Sequence, residues 1–299
     1  MDRLESMSTL LTVVDAGSLT AASRRLGTPL ATISRRVSEL ETHLRTRLLN
    51  RSSRRVMLTD AGQGYVQACR RILEDLEEAE RAVSGEYSAP RGELIVTASL
   101  VLGRLYVVPV ASAFLKAFPD IRLRLVLTDR VVNLLEQRVD LGVRIGELPD
   151  SSLVAIRVGS VWRVVCASPA YLAAHGTPTA PQDLRDHDCI TFRGPMRAEA
   201  WDFPAGKAKT TVAVRSRLAV NGAEAAVDAA IAGTGITCVF SYHVAEAVQQ
   251  GRLALLLQDF EPPPLPVSLV YAAGGLVPLK LRAFLDFAAP RLRARLATQ

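Results

Sequence analysis

The chain has only four cysteines in 299 residues, at positions 69, 166, 189 and 238, and no two of them form a Cys-x-x-Cys pair. The spacing of a zinc or dithiol redox site is therefore missing. His187 and Cys189 flank Asp188, but these supply two local ligands where a tetrahedral metal site needs four. Reduced, buried thiols are expected, with no metal and no cofactor. No uninterrupted apolar run approaches the roughly 20 residues of a bilayer span. The opening Met1-Asp2-Arg3-Leu4-Glu5 has no apolar signal core, so the expectation is a cytoplasmic protein without a membrane partner. Catalytic signatures are missing as well. There is no Gly-x-Ser-x-Gly elbow, no phosphate-binding glycine loop and no His-Glu-x-x-His, and Gly233-Thr234-Gly235 lacks the third glycine of a dinucleotide fingerprint. Catalysis is not expected.

What is present is an uneven charge. Residues 1–59 contain ten arginines (3, 24, 25, 35, 36, 45, 47, 51, 54 and 55) against Asp2, Glu5, Asp15, Glu39 and Glu41, an excess of five out of +6 for the whole chain. A basic patch confined to one small segment is the footprint of a nucleic-acid contact. The length allows two or three domains, and 49% apolar with 22% charged residues describes a globular chain.

Within the basic segment, Leu30, Ile33, Val37, Leu40 and Leu44 recur at steps of three and four, which predicts an α-helix with an inward apolar face. The opposite face carries Ala31, Arg35, Ser38 and Thr42, flanked by Thr32, Ser34 and Glu39. Small, hydroxylated and cationic, it suits a DNA major groove, where Arg reads guanine and small residues permit close approach. The competing reading is an ordinary amphipathic helix with Arg35 paired to Glu39 one turn on. Upstream, Leu4, Met7, Leu11 and Val14 predict a first helix stopped by Gly17. Ser18 then caps a second helix over Leu19–Leu26, and Gly27 and Pro29 turn the chain into the third. Helix, glycine turn, helix is the helix-turn-helix arrangement. Two short apolar runs between Arg47 and Leu58, around a polar turn with arginines at its tip, read as a β-hairpin wing.

Thr59 can cap a long helix from Asp60 to Val83. Tyr65, Cys69, Ile72, Leu76, Ala79 and Val83 alternate spacings of four and three, an a/d seam expected to pair two chains. A helix packed on its own domain would show the same stripe. A Gly/Ser/Pro linker follows over 84–92, and then strands alternate with helices: Leu94–Thr97, Leu105–Phe118, Ile121–Leu127, Val139–Ile145, Arg163–Ala167, Cys189–Phe192, Leu218–Val220, a helix from Ala223, and Ile236–Phe240. The strand Val267–Tyr271 and helix Leu279–Phe287 are expected to return to the first sheet. This predicts an open α/β region of two lobes with a cleft between them.

In this order, helix-turn-helix, wing, long helix and α/β region resemble a LysR-type transcriptional regulator. The carrying residues are Ala21-Ala22-Ser23-Arg24-Arg25-Leu26, Ile33-Ser34-Arg35-Arg36-Val37, Leu40-Glu41, Leu48-Leu49-Asn50-Arg51 and Leu58-Thr59-Asp60-Ala61-Gly62. The resemblance implies a winged helix-turn-helix DNA-binding domain over 1–59, a linker and dimerisation helix over 60–92, and a periplasmic-binding-protein-like effector domain over 93–299, with lobe 1 at about 93–162 and 267–299 and lobe 2 at about 163–266. It implies DNA contacts from Ser18, Leu30, Ala31, Thr32, Ser34, Arg35, Arg36, Arg51, Arg54 and Arg55, with Ser34 and Arg35 in the major groove and Arg54 in the adjacent minor groove. Many relatives carry Gln or Ser where this chain has Leu30, which offers a base only apolar contact. Between the lobes, Thr97, Ser99, Leu100, Thr128, Arg144, Gly146, Phe192 and Asn221 are expected to line an effector site, whose hydroxyls, helix N-terminus and Arg suit a small organic anion. The implied partners are a double-stranded DNA operator, a small-molecule effector, one or three further copies of the chain, and RNA polymerase if the protein activates. A solute-binding protein, or a metabolite-binding enzyme with an accessory basic domain, is the alternative.

Overall fold

The computed structural model describes residues 2–52, 55–84, 89–130, 132–134, 136–137, 139–148, 153–192, 200–205, 208–273 and 277–297. The chain divides into two compact units, Met1–Ala89 and Pro90–Gln299, each with its own core.

In the first unit, α1 (Arg3–Ala16), α2 (Leu19–Leu26) and α3 (Leu30–Leu44) precede a hairpin of β1 (Leu49–Ser52) and β2 (Arg55–Leu58), and α4 (Asp60–Ser84) follows. Gly17 and Gly27 stop α1 and α2 in the left-handed conformation, and the Ser18 hydroxyl accepts from Ala21 N–H to start α2. Leu10, Val13, Ala22, Ile33, Val37, Leu40, Leu48, Leu49 and Val66 form the core. One inward assignment is corrected here. Leu30 is exposed, at the first turn of its helix, and so is Leu4 in α1. The inner stripe of α1 instead includes Ser6 and Thr9, whose hydroxyls donate to the Asp2 and Glu5 carbonyls at 2.7 and 2.8 Å. A hydroxyl satisfied by the preceding turn can be buried at little cost.

The wing is fastened at its base. Glu41 Oε1 accepts from the Leu48 and Leu49 amides at 2.8 and 3.0 Å, and Val56 N–H donates to Gly17 O. Thr59 Oγ1 donates to the Arg47 carbonyl and accepts from Gly62 N–H, at 2.8 and 2.9 Å. Gly62 has no side chain for a steric reason, since a Cβ there would stand 2.0 Å from the Leu48 carbonyl oxygen. The first half of α4 thus belongs to the core of the first unit. Tyr65 packs on its core, Cys69 is fully buried, and Arg70 is paired with Asp15 of α1.

The second unit opens with β3 (Gly92–Ala98) and one continuous helical stretch made of α5 (Leu100–Leu102), a π-helical turn at Gly103–Val107, and α6 (Val108–Ala117). By length and composition this stretch could cross a membrane, but Val101, Leu102, Val107, Val110 and Phe114 pack it onto a sheet. Pro109 has no N–H to offer the preceding turn, and the Leu105 carbonyl accepts from Arg295 Nη1 at 3.4 Å. The order continues with β4 (Ile121–Leu127), β5 (Leu141–Ile145), β6 (Leu153–Val161), β7 (Arg163–Ala167), α7 (Pro169–His175), β8 (Asp188–Phe192), β9 (Ala200–Ala205), β10 (Ala208–Ala213), β11 (Arg215–Val220), α8 (Ala223–Ile231), β12 (Ile236–Phe240), α9 (Ser241–Gln249), β13 (Ala254–Leu256), β14 (Leu265–Ala272) and α10 (Leu279–Leu296).

Two five-stranded sheets result, ordered β4-β3-β5-β14-β6 and β11-β8-β12-β7-β13, with β9 and β10 as a separate hairpin. β4, β3 and β5 run parallel, and β14 returns antiparallel to both β5 and β6. In the second sheet β11, β8 and β12 are parallel, and β7 runs antiparallel to both of its neighbours, β12 and β13. The chain leaves the first sheet after Val161 and rejoins it at Leu265. Phe240 and Tyr242 of the second lobe are buried with the first lobe's core, so an apolar contact joins the lobes.

Candidate nucleic-acid interface and effector site

The outward face of α3 presents Ala31 and Arg35 exposed, with Thr32 and Ser34 half-buried beside them. Leu30, 44% exposed, joins this face at the helix start. Arg35 lies 3.5 Å from Glu39, one turn on, and its side chain keeps 68% of its exposure, so this pair leaves the guanidinium reachable. Arg36 is different. It is half-buried and bound to Glu5 of α1 at 2.5 Å, which turns it toward the helix packing and away from the outward face. The Ser18 hydroxyl is engaged in capping α2. Arg54 lies outside the described residues; Arg51 and Arg55 lie on the wing strands, with side chains outside what is described.

In the second unit, the C-terminal end of β3 collects several of the expected effector residues. Thr97 is fully buried and its Oγ1 has no hydrogen-bond partner among the described residues. It stands beside Gly142 in the β3–β5 register. A Cβ on Gly142 would lie 3.3 Å from Arg144 Nε, so the missing side chain leaves room for the Arg144 side chain over this part of β5. Arg144 Nη2 donates to the Val132 carbonyl at 3.3 Å, no carboxylate pairs with it among the described residues, and burial lowers its pKa from the ordinary arginine value. The Ser99 hydroxyl is buried and faces the Tyr242 phenol without full hydrogen-bond geometry. Burial pushes the Tyr242 pKa up. Gly146 ends β5 at φ 106°, its N–H donating to Pro266 O.

Comparison with known proteins decides what these units are. Residues 4–63 match the family model described as "Bacterial regulatory helix-turn-helix protein, lysR family", and residues 88–293 match "LysR substrate binding domain". An HTH-type transcriptional regulator from Xanthomonas campestris is 37% identical over 94% of this chain and 83% of its own length. An HTH-type transcriptional repressor from Pseudomonas aeruginosa is 34% identical over 96% and 91%. The solved structure of CrgA, a LysR-type transcriptional regulator from Neisseria meningitidis, matches with a TM-score of 0.61 and 32% identity over 96% of this chain and 98% of that one. The chain belongs to the LysR family of transcriptional regulators.

In this LysR-family regulator the expected effector residues are only partly brought together. Thr97, Ser99, Leu100, Thr128 and Arg144 surround the end of β3. Phe192 is not shown beside them: it is buried in a core cluster that includes Ala223 and Val227 of α8. Both faces of β8 are covered, so its apolar run says nothing about which way a side chain points. Asn221 is exposed ahead of α8. The helix N-terminus expected to hold an anion already has one, since Leu100 N–H donates to Asp129 Oδ1 at 3.1 Å. The Thr128 hydroxyl accepts from Arg130 N–H. Residues not anticipated from sequence also meet at the junction of the lobes. Tyr106 and Tyr242 contact edge to face at 6.2 Å, and Arg104 bridges to Glu224 at 2.6 Å. The signal for the tyrosine was a Ser-Tyr-His triple directly after the strand ending at Phe240.

The dimerisation seam divides. Tyr65 and Cys69 pack within their own domain, a correction to their assignment as pairing residues. Ile72 is 45% exposed and Leu76 half-buried; the side chains of Ala79 and Val83 lie outside the described residues.

Proposed function

We propose that this regulator binds a double-stranded DNA operator through the outward face of α3 and the wing, as a homodimer or homotetramer in the cytoplasm, and that a small organic anion seated by Arg144, Thr97 and Ser99 controls it. If it activates, RNA polymerase is the further partner. The observation that carries the effector reading is Arg144. A half-buried guanidinium bonded among the described residues to one backbone carbonyl, with a buried hydroxyl without a partner on the neighbouring strand, is costly to keep and fits a carboxylate able to accept from both. Asp129 already occupies the first helical amide, which leaves Arg144 and the hydroxyls as the anion's contacts. The Arg104–Glu224 bridge and the Tyr106–Tyr242 contact join the lobes beside this site. A ligand that favours one lobe arrangement shifts the population toward it.

Thermal shift of the full-length protein against a panel of mono- and dicarboxylic acids tests the reading. An acid that raises the Tm of the wild type should lose its effect in Arg144→Gln and be weakened in Thr97→Val, with duplex binding in the absence of acid unchanged. Failure of the whole panel, or an equal shift in Arg144→Gln, would remove the anion site from this position.

A further inference from the structure

The first three helices of the DNA-binding unit end in the same left-handed conformation, α1 on Gly17 at φ 72°, α2 on Gly27 at φ 62°, and α3 on Arg45 at φ 52°. Glycine is the default there because a Cβ crowds the neighbouring carbonyl. The Arg45 backbone N–H closes α3 onto the Glu41 and Thr42 carbonyls, a task a glycine performs as well. A side chain retained against strain points to work done by that side chain.

Its surroundings indicate the work. Arg45, Thr46 and Arg47 are exposed, and neither arginine has an ion-pair partner among the described residues. With Ser38, Thr42 and Leu49 they line an open groove of about 570 Å³ between the second half of α3 and the base of the wing. The acid in that groove, Glu41, has Oε1 committed to the Leu48 and Leu49 amides, so two amide dipoles offset its charge where the arginines project. The Thr42 hydroxyl is spent on the Ser38 carbonyl at 2.8 Å, but two guanidiniums with the Thr46 hydroxyl at such a groove suit one tetrahedral, multiply accepting anion.

We propose that Arg45, assisted by Arg47, holds a phosphate of the DNA backbone in this groove and fixes the register of α3 on the duplex. Phosphate contacts of this kind position a protein without reading sequence. The inference rests on the family's DNA binding and not on which residues of α3 reach bases.

The test is fluorescence anisotropy of full-length protein with a mixed-sequence DNA duplex three helical turns long, titrated at a series of salt concentrations. Arg45→Gln keeps a polar, unbranched side chain and the backbone strain and removes the charge. It should weaken binding several-fold at low salt and flatten the plot of log affinity against log salt by about 0.9 for each protomer bound. Arg45→Lys should keep the wild-type slope. Arg45→Gly should show the same loss as Arg45→Gln while its Tm rises, because the strain is gone; a purely structural arginine would move binding and stability together. A wild-type slope in Arg45→Gln overturns the proposal and leaves DNA binding itself untouched. So does Arg45→Gly binding the duplex as the wild type does.

Discussion

Arg36 of α3 is held by Glu5 of α1 at 2.5 Å, whereas its neighbour Arg35 projects from the same helix with most of its side chain exposed. Adjacent arginines therefore have separate tasks. Arg35→Ala should cost about 1–3 kcal/mol in operator affinity, the worth of one bidentate base contact, with an unchanged Tm. Arg36→Ala should leave base discrimination intact and lower stability by less than about 1 kcal/mol, the usual range for a partly exposed ion pair. Footprinting on the operator together with thermal melts separates them, and equal losses of affinity in both variants would contradict the division.

The exposed part of the α4 seam predicts a selective oligomerisation defect. Ile72→Asp with Leu76→Asp places charge where two helices would meet and leaves the domain's own core alone, because Cys69 and Val66 carry that packing. Light scattering should report a smaller assembly at nearly wild-type Tm. An unchanged mass would mean that the copies associate elsewhere.

A third prediction concerns acid. Phe240 N–H donates to His243 Nδ1 at 3.3 Å, which requires an imidazole unprotonated at that nitrogen, and burial lowers its pKa from 6.5 to about 4. The unfolded chain takes up this proton near 6.5 and the folded one only near 4. Stability must therefore fall as pH drops through that window, by at most about 1.4 kcal/mol per pH unit, with no further loss from this group below it. His243→Gln, which still offers an acceptor to Phe240, should flatten the decline of Tm between these values. A slope equal to the wild type's would assign the acid sensitivity to other groups.

Much of the DNA-binding unit is legible in the sequence because its signals are local: Ser18 starts a helix, Gly17 and Gly27 end two, and Pro29 precedes the third. Periodicity misleads where chemistry substitutes for hydrophobicity. The burial of Ser6 and Thr9 depends on hydroxyl bonds to the turn before, and the apolar-step rule assigns Leu4 inward in their place. The same rule cannot separate a pairing seam from a packed stripe, and α4 contains both, Cys69 facing its own core and Ile72 facing outward. In the α/β unit, β6 is hard to see because Leu153–Val161 contains Ala, Gly and Ser and is fixed by β14, far later in the chain. That Thr97, Ser99 and Arg144 come together at one end of the first sheet follows from strand ends. The direction of Phe192 does not, since a strand buried on both faces has no readable parity.

Thr59 and Gly62 connect the wing to the long helix so closely that the two move as one lever. With the Leu48 carbonyl against the Gly62 backbone and the Thr59 hydroxyl bridging the Arg47 carbonyl and the first turn of α4, there is no slack at the fulcrum. A small rotation of α4 about this point carries the base of the wing with it. If two copies pair through α4, the angle between those helices sets the spacing of two wings along a duplex, a quantity that DNA resists by bending.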